Sequence, residues 1–444
     1  MLKHVDDRNN RYKSFQEVLS GMNLTEEEIR LRRQEFFQSE RQYLRLRRQR
    51  ICASYFETIK VIGRGAFGEV RLCRSKDTGE IYAMKSLRKS EMIKKDQVEH
   101  VRAERTILSQ ASNPWVVKLL YSFQDDENLY LVMEYLGGGD LMTWLMKYDV
   151  FSEAQTRFYM AEIILAVESI HNMGFIHRDL KPDNVLIESN GHVKLTDFGL
   201  CTSFKRQPED YLSLESLRAL DAEQQAASNP SSVNALDQRE RIATWKRARR
   251  AVAYSTVGTP DYIAPEVFRK TGYGKEVDWW SLGALMFEML CGYPPFCSND
   301  SRETYLKIMN HKESLRFPDD VSLSSEAVSL IRSLLCEAPV RLGLNGANEI
   351  KQHAFFKGFD WDNVTKMPAP IIPNISSEVD TSNFDSFDET TAHQMPAPGN
   401  GGGRRHRLSK EDLHFVGYTY KHFDVVKSSR PSVFDTFDSL KLKE

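Results

Sequence analysis

Cysteine is scarce in this chain: six among 444 residues, at positions 52, 73, 201, 291, 297 and 336. No two of them sit in Cys-x-x-Cys spacing, so neither a disulfide scaffold nor a zinc cluster is indicated. Long apolar runs are missing as well; nothing approaches the roughly 20 residues that cross a bilayer. The opening residues, MLKHVDDRNN, lack the apolar stretch of a secretory signal. The resulting expectation is a soluble intracellular protein, cytoplasmic, with the nucleus and cell cortex as further locations. An excess of one charge is also absent: 60 Lys and Arg face 62 Asp and Glu, a net charge of −2. That balance gives no reason to expect nucleic-acid binding by the whole molecule. What is plentiful is apolar material: 41% of residues are hydrophobic, ample for a buried core, and 444 residues exceed one typical domain.

Against that even background, HRDLKPDN (His177–Asn184) and DFG (Asp197–Gly199) concentrate chemistry. They set a carboxylate, a lysine, a carboxamide and a second carboxylate in the order that phosphoryl transfer to a hydroxyl requires. On that reading Asp179 accepts or orients the proton of the attacking hydroxyl, and Lys181 neutralises charge on the moving phosphoryl group. Asn184 and Asp197 hold the magnesium ions that bridge the nucleotide phosphates. An Asp-rich loop that only caps turns is the plain alternative, but chance rarely supplies both motifs intact, in order and close together.

Upstream, GRGAFGEV (Gly63–Val70) follows the apolar pair Val61–Ile62. The same glycine spacing occurs in dinucleotide-binding turns. Those turns lead into a helix, whereas Glu69–Cys73 alternates polar and apolar residues as a strand does. A strand–turn–strand over the phosphates of ATP is therefore expected, built from Ile62, Gly63, Arg64, Gly65, Ala66, Phe67, Gly68, Glu69 and Val70. YAMK puts Ala83 and Lys85 on the next strand, Lys85 to hold the α/β-phosphates. Its expected partner is Glu104, in the helix-like run Lys95–Ser109. The strand Leu129–Tyr135 ends in Gly137-Gly138-Gly139, the pattern of a hinge between two lobes. Glu134 and Leu136 would offer backbone groups to adenine, Met133 would stand at the back of the pocket, and Leu186 would complete the site.

Downstream come GTPDYIAPE (Gly258–Glu266), DWWSLG (Asp278–Gly283) and YPPF. With them the chain resembles the eukaryotic protein kinases from Phe56 to about Phe356. The resemblance implies an α+β, bilobal fold with a small β-rich lobe and a large, mainly helical lobe. It also implies a Glu266–Arg341 pair and an Asp278 that braces the catalytic loop. The lysine two positions after Asp179, together with Thr259, is the serine/threonine pattern. A pseudokinase scaffold is the rival reading; it predicts a broken Lys85, Asp179, Asn184 or Asp197, and all four are intact.

Three outlying features resemble the AGC group and, within it, the NDR/LATS family, nearest the NDR type that includes fungal cell-polarity kinases. A long tail ends in Phe415-Val416-Gly417-Tyr418-Thr419-Tyr420, the activation segment is enlarged between Phe204 and Arg250, and a basic helical extension precedes the core. The implied organisation is a helical regulatory region at 1–55, a catalytic domain at 56–356 with an insert at 205–250, and a C-terminal domain at 357–444.

In the extension, Ile29, Phe36, Tyr43 and the series Phe37, Leu44, Ile51 repeat at heptad distance and predict an apolar stripe on a helix from Leu24 to Ile51. The surrounding arginines could form a solvated face, or a membrane or RNA surface. The family resemblance implies a Mob coactivator received by Arg30, Arg33, Arg41 and Arg45. The insert is polar from Arg206 to Leu236 and then strongly basic in RERIATWKRARRAV. That run reads as a polyanion or nuclear-localisation patch, and by resemblance as autoinhibitory. Resemblance further makes Ser255 an activation-segment phosphorylation site and Thr419 the target of an upstream Ste20-like kinase. Phe415, Tyr418 and Tyr420 would dock near the Glu104 helix, and Phe384 and Phe387 would approach the adenine site. Asp140, Asp183 and Glu288 match positions that hold basic residues of the substrate. The activity implied is that of a serine/threonine kinase on basophilic proteins, in signalling that controls morphogenesis, polarity and proliferation.

Overall fold

In the computed structural model, the alternating segments that begin at Phe56 form strands: β1 (Phe56–Gly65), β2 (Gly68–Ser75), β3 (Ile81–Arg88), β4 (Leu119–Gln124) and β5 (Asn128–Glu134). They pair antiparallel in the order β1-β2-β3-β5-β4. The described residues are 9, 12–13, 15–17, 19–21, 25–48, 50–65, 68–111, 113–203, 260–269, 272–298, 301–387 and 414–422. Ala66, Phe67, the insert at 205–250 and Ser255 lie outside them. By its contacts the chain divides into two compact units, Ala53–Tyr418 and Met1–Cys52 with Thr419–Glu444. Among the described residues no helix is long and apolar enough to cross a membrane.

The glycine-rich stretch folds as strand–turn–strand, with Gly63 opposite Val70, Arg64 opposite Glu69 and Gly65 opposite Gly68. The register then sets Val70 across from Lys85, and Lys85 across from Leu131. Helix α1 (Glu26–Arg48) belongs to the other unit; in the small lobe, α2 (Val98–Gln110) buries Val101, Glu104, Ile107 and Leu108 at helical spacing. It begins three residues later than the composition suggested, because Asp96 takes φ 52°, a left-handed conformation that a helix cannot pass through.

The large lobe is built on α3 (Leu141–Tyr148), α4 (Glu153–Asn172), α5 (Glu276–Cys291) and α6 (Ser325–Leu334). A reciprocal capping box, Ser152 with Gln155, starts α4. Helix α5 is buried on every side from Val277 to Cys291, packs against α4 and α6, and ends at Gly292 with φ 82°. Trp279, Trp280, Phe287 and their apolar neighbours there each contribute about 1.5–3 kcal/mol by leaving water. Two small two-stranded sheets on this lobe frame the HRDLKPDN and DFG segments: β6 (Phe175–Ile176) pairs β9 (Thr202–Ser203), and β7 (Val185–Ile187) pairs β8 (Val193–Leu195).

The C-terminal tail runs back over the hinge, which explains the three consecutive glycines. A Cβ on Gly138 would lie 2.3 Å from the Ile187 carbonyl oxygen and 2.9 Å from Pro373. Gly139 has φ 75°, and a Cβ there would meet the Asn383 carbonyl oxygen at 2.4 Å. These glycines are required by backbone approach as well as by bending. Asn383 completes the contact by donating from Nδ2 to the Gly137 carbonyl at 3.0 Å.

In the other unit, α1 (Glu26–Arg48) opens with Thr25 and Glu28 capping each other's backbone amides. Helical residues between 12 and 20 lie against it: Phe15 stacks on Phe36 with centroids 4.2 Å apart, and Leu19, Tyr12 and Ile29 join the cluster. Of the expected stripe, Phe36 is buried and Phe37 stays 38% exposed, its ring stacked on Tyr12; the side chains of Tyr43 and Leu44, like that of Arg45, lie outside the described ones. Ile51 lies past the end of the helix.

Candidate active site

Lys85 is reached from two directions. Its Nζ lies 2.8 Å from Glu104 Oε1 on α2 and 3.0 Å from Asp197 Oδ1. Burial opposes the charge on Lys85, but the two carboxylates hold its pKa above the ordinary lysine value. Lys85 in turn is the main reason that the Asp197 carboxyl is held down to about 2, so Asp197 is ionised at physiological pH. Burial pushes Glu104 up, against the pull of Lys85. The pairing expected from position is therefore present, and it joins strand, helix and DFG segment. Asp197 has φ 56° and Arg178 φ 67°, conformations that cost non-glycine residues about 1–3 kcal/mol and cluster at working sites.

Across the cleft, Lys181 Nζ lies 3.0 Å from Asp179 Oδ2, and Asn184 Nδ2 donates to Asp179 Oδ2 at 2.9 Å and to its backbone oxygen at 2.8 Å. The loop that carries them is held from below by Asp278, which accepts from the amides of His177 (2.9 Å) and Arg178 (2.7 Å) and pairs with His171 at 2.7 Å. His177 packs edge-on against Phe198 of DFG at 5.1 Å. Arg341, fully buried, grips Glu266 with two nitrogens, one of them 3.0 Å from Oε2, and donates to the Cys336 carbonyl at 2.8 Å. Cys201 is buried, its thiol turned to the His177 carbonyl at 3.4 Å and its pKa raised by burial; it serves as a small core residue.

The nucleotide-site candidates converge. Ile62, Leu72 and Ala83 form one apolar cluster with Val70, and Val379 and Phe384 from the tail pack against it. Phe384 also lies 5.6 Å from Tyr135, and the Arg64 guanidinium sits 5.9 Å from the Phe387 ring. Met133 faces Ala83 across the sheet, and Leu186 bridges to Asp140. Gly63, Gly65, Gly68 and Glu69 line the turn; Glu69 is buried and spends its carboxylate on Arg71. Glu134 gives its amide to the Lys118 carbonyl, which leaves its own carbonyl as the group it can offer.

The three acidic positions differ. Asp140 caps α3 through the Thr143 amide at 2.7 Å, and Asp183 is half-buried in the turn before Asn184. Glu288 is wholly buried and accepts a hydrogen bond from Tyr262, because α5 turns that face inward. It presents no carboxylate to solvent in this conformation.

The tail motif is docked. Gln124 Nε2 donates to the Phe415 carbonyl at 2.9 Å, Ser122 Oγ to the Tyr418 carbonyl at 2.6 Å, and Arg105 Nε to the same oxygen at 3.2 Å. Phe415 and Tyr418 are both buried, but the Tyr418 hydroxyl has no hydrogen-bond partner among the described residues. A stranded buried hydroxyl costs about 1–3 kcal/mol. Tyr418→Phe should therefore keep or raise the melting temperature, whereas Tyr418→Ala should lower it; a clear drop in the phenylalanine variant would mean that the hydroxyl is bonded. Thr419 is exposed, and Tyr420, in the other unit, lies 6.3 Å from His422.

Sequence reading missed Lys194, which bonds both Glu134 and Glu188 at 2.7 Å. No local signal marks it, since a lysine alternating with Val193 and Leu195 looks like any solvent-facing strand position.

Comparison with known proteins agrees with this geometry. The protein kinase domain family matches residues 56–221 and 241–356, and the protein kinase C terminal domain family matches 375–420. The serine/threonine-protein kinase CBK1 of Pneumocystis carinii is 51% identical over 95% of this chain and 84% of its own length. The protein of that name from Saccharomyces cerevisiae is 49% identical over 95% of this chain but only 60% of its own length. The serine/threonine-protein kinase tricornered of Drosophila melanogaster is 50% identical over 96% of this chain and 91% of its own. With catalytic and tail families matched in order and about half of all residues shared, the chain belongs to the NDR/LATS family of AGC serine/threonine protein kinases.

Proposed function

We propose that this kinase transfers the γ-phosphoryl group of ATP through Asp179, Lys181, Lys85, Asn184 and Asp197, under control of a Mob coactivator and of phosphorylation at Ser255 and Thr419. The observation that carries the catalytic part is the joint presence of Lys85–Glu104, Lys85–Asp197 and Asp179–Lys181–Asn184 in one cleft. Use of ATP follows from the family. Asp179 accepts the proton of the attacking serine or threonine hydroxyl as its oxygen bonds to phosphorus and the bond to the ADP oxygen breaks. Lys181 balances the negative charge that spreads over the transferred group, and Lys85 holds the α/β-phosphates.

The donors suited to a cation are few and hard: the Asp197 carboxylate and the amide oxygen of Asn184, whose nitrogen is already given to Asp179. Magnesium fits such a set, because it takes one or two protein oxygens and leaves the rest to phosphate and water. Bound there, it would neutralise phosphate charge.

Regulation is supported from both ends of the chain. Tyr418 docks on α2, the helix that carries Glu104, and Phe415 on β4; a phosphate of about −1.5 to −2 charge on the adjoining Thr419 is proposed to bias the Lys85 pair through this docked motif. In α1, Arg30, Arg33 and Arg41 are exposed; Arg30 and Arg41 return to the same side after three turns. They and Arg45 are proposed to receive the acidic face of a Mob protein. Charge reversal of all four to glutamate should abolish co-purification with Mob, and retained binding would sink that part. A basophilic preference through Asp140 and Asp183, with Glu288 requiring rearrangement of Tyr262, is testable on a peptide array. Signalling in cell morphogenesis, polarity and proliferation is the process proposed, with a Ste20-like kinase upstream.

A further inference from the structure

Lys194 lies on β8, three residues before Asp197, and its side chain is only 13% exposed. Its Nζ is 2.7 Å from Glu134 Oε1, at the end of β5, and 2.7 Å from Glu188 Oε1, in the β7–β8 hairpin. The same Glu134 oxygen accepts the Lys118 amide at 2.8 Å, while the Glu134 amide donates to the Lys118 carbonyl at 3.1 Å. Two backbone bonds and one ion pair thus converge on a single hinge residue. The strand supplying the lysine is itself anchored: the Leu195 amide donates to the Trp115 carbonyl at 2.8 Å, and the Leu195 carbonyl accepts the Val117 amide at 3.0 Å. Lys194 also stands opposite Leu186 in the β7–β8 pairing, the residue expected to complete the nucleotide site.

We infer that Lys194 is a positioning residue for base recognition: by tying Glu134 to Glu188 it fixes the Glu134 backbone carbonyl that reads the 6-amino group of adenine. The inference rests on the hinge reading of Glu134 given above. An exposed lysine in this role would count for little, since solvent and salt screen such pairs. Here the ammonium is shielded and shared by two carboxylates, and burial, which works against its charge, is outweighed by them. Removing it takes from both carboxylates the cation that ties them together, leaving Glu134 with the Lys118 amide and Glu188 with Asn190. The Glu134 carbonyl then loses a fixed direction, and a hydrogen bond that must be aligned to be worth its full amount is weakened.

The test measures dissociation constants of the full-length protein for ATP and for purine riboside 5′-triphosphate, which lacks the 6-amino group. The wild type should prefer ATP by about tenfold, the worth of one well-made hydrogen bond. In Lys194→Met that preference should fall below about threefold, with the loss falling on ATP and not on the analogue, and Lys194→Arg should restore it. A merely structural lysine would weaken both nucleotides alike and leave the ratio unmoved. Should Lys194→Met not fold, Lys194→Gln removes the charge with a polar group in place, and the same loss of preference is expected. A wild-type ratio in a folded variant without the charge overturns the inference. Equal affinity of the wild type for the two nucleotides would instead overturn the hinge reading itself.

Discussion

Asp179→Ala should lower the rate of phosphate transfer to a protein or peptide substrate by about 10²–10⁴-fold, the range a positioned general base supplies. The expectation follows from what Asp179 touches. Its carboxylate gathers Lys181 at 3.0 Å and Asn184 at 2.9 Å, so one substitution removes the proton acceptor and loosens two neighbours. The binding of ATP should change far less, because Lys85, Glu104 and the hinge are held by other contacts. Radiolabel incorporation at saturating ATP, on the full chain with and without Mob, separates the two effects. Full activity in the alanine variant would remove Asp179 from the mechanism.

The largest loss of stability should come from Glu266→Ala. Arg341 is fully buried, and Glu266 is the carboxylate that balances it. Breaking a buried pair by removing one partner costs about 3–5 kcal/mol, because an uncompensated charge stays in the core. Replacing both, Glu266→Leu with Arg341→Leu, should cost less than the sum of the two single losses. The double variant still loses stability, because the Cys336 and Glu276 carbonyls lose the donor that Arg341 supplies. Denaturant unfolding of the wild type, both single variants and the double variant measures the coupling; additive losses would show that the pair is not a unit.

Several parts of this site were legible from residue order because their chemistry is local. HRDLKPDN places Asp179, Lys181 and Asn184 within six positions, and a short loop cannot separate them widely. The glycine-rich turn was distinguishable from a dinucleotide-binding turn because Glu69–Cys73 alternates, and the register of Gly63 on Val70 bears that out. Glu288 shows where such reading stops. An acidic residue at a matching position looked solvent-facing, but it lies on a helix whose whole surface is buried, and burial around a helix is set by its neighbours. The hinge glycines are a second case: their need arises from Asn383 and Pro373, far along the chain.

The sequence by itself determined the reaction class and pointed to the groups proposed to react, since motif spacing carries both within a few residues. Only the tertiary structure decided how those groups are tuned. Lys85 and Asp197 are separated by 112 positions, Tyr418 and Ser122 by 296, and Lys194 meets Glu134 across 60. Contacts over such distances depend on how strands and helices close upon one another, and burial then sets the strength of each charge and hydrogen bond.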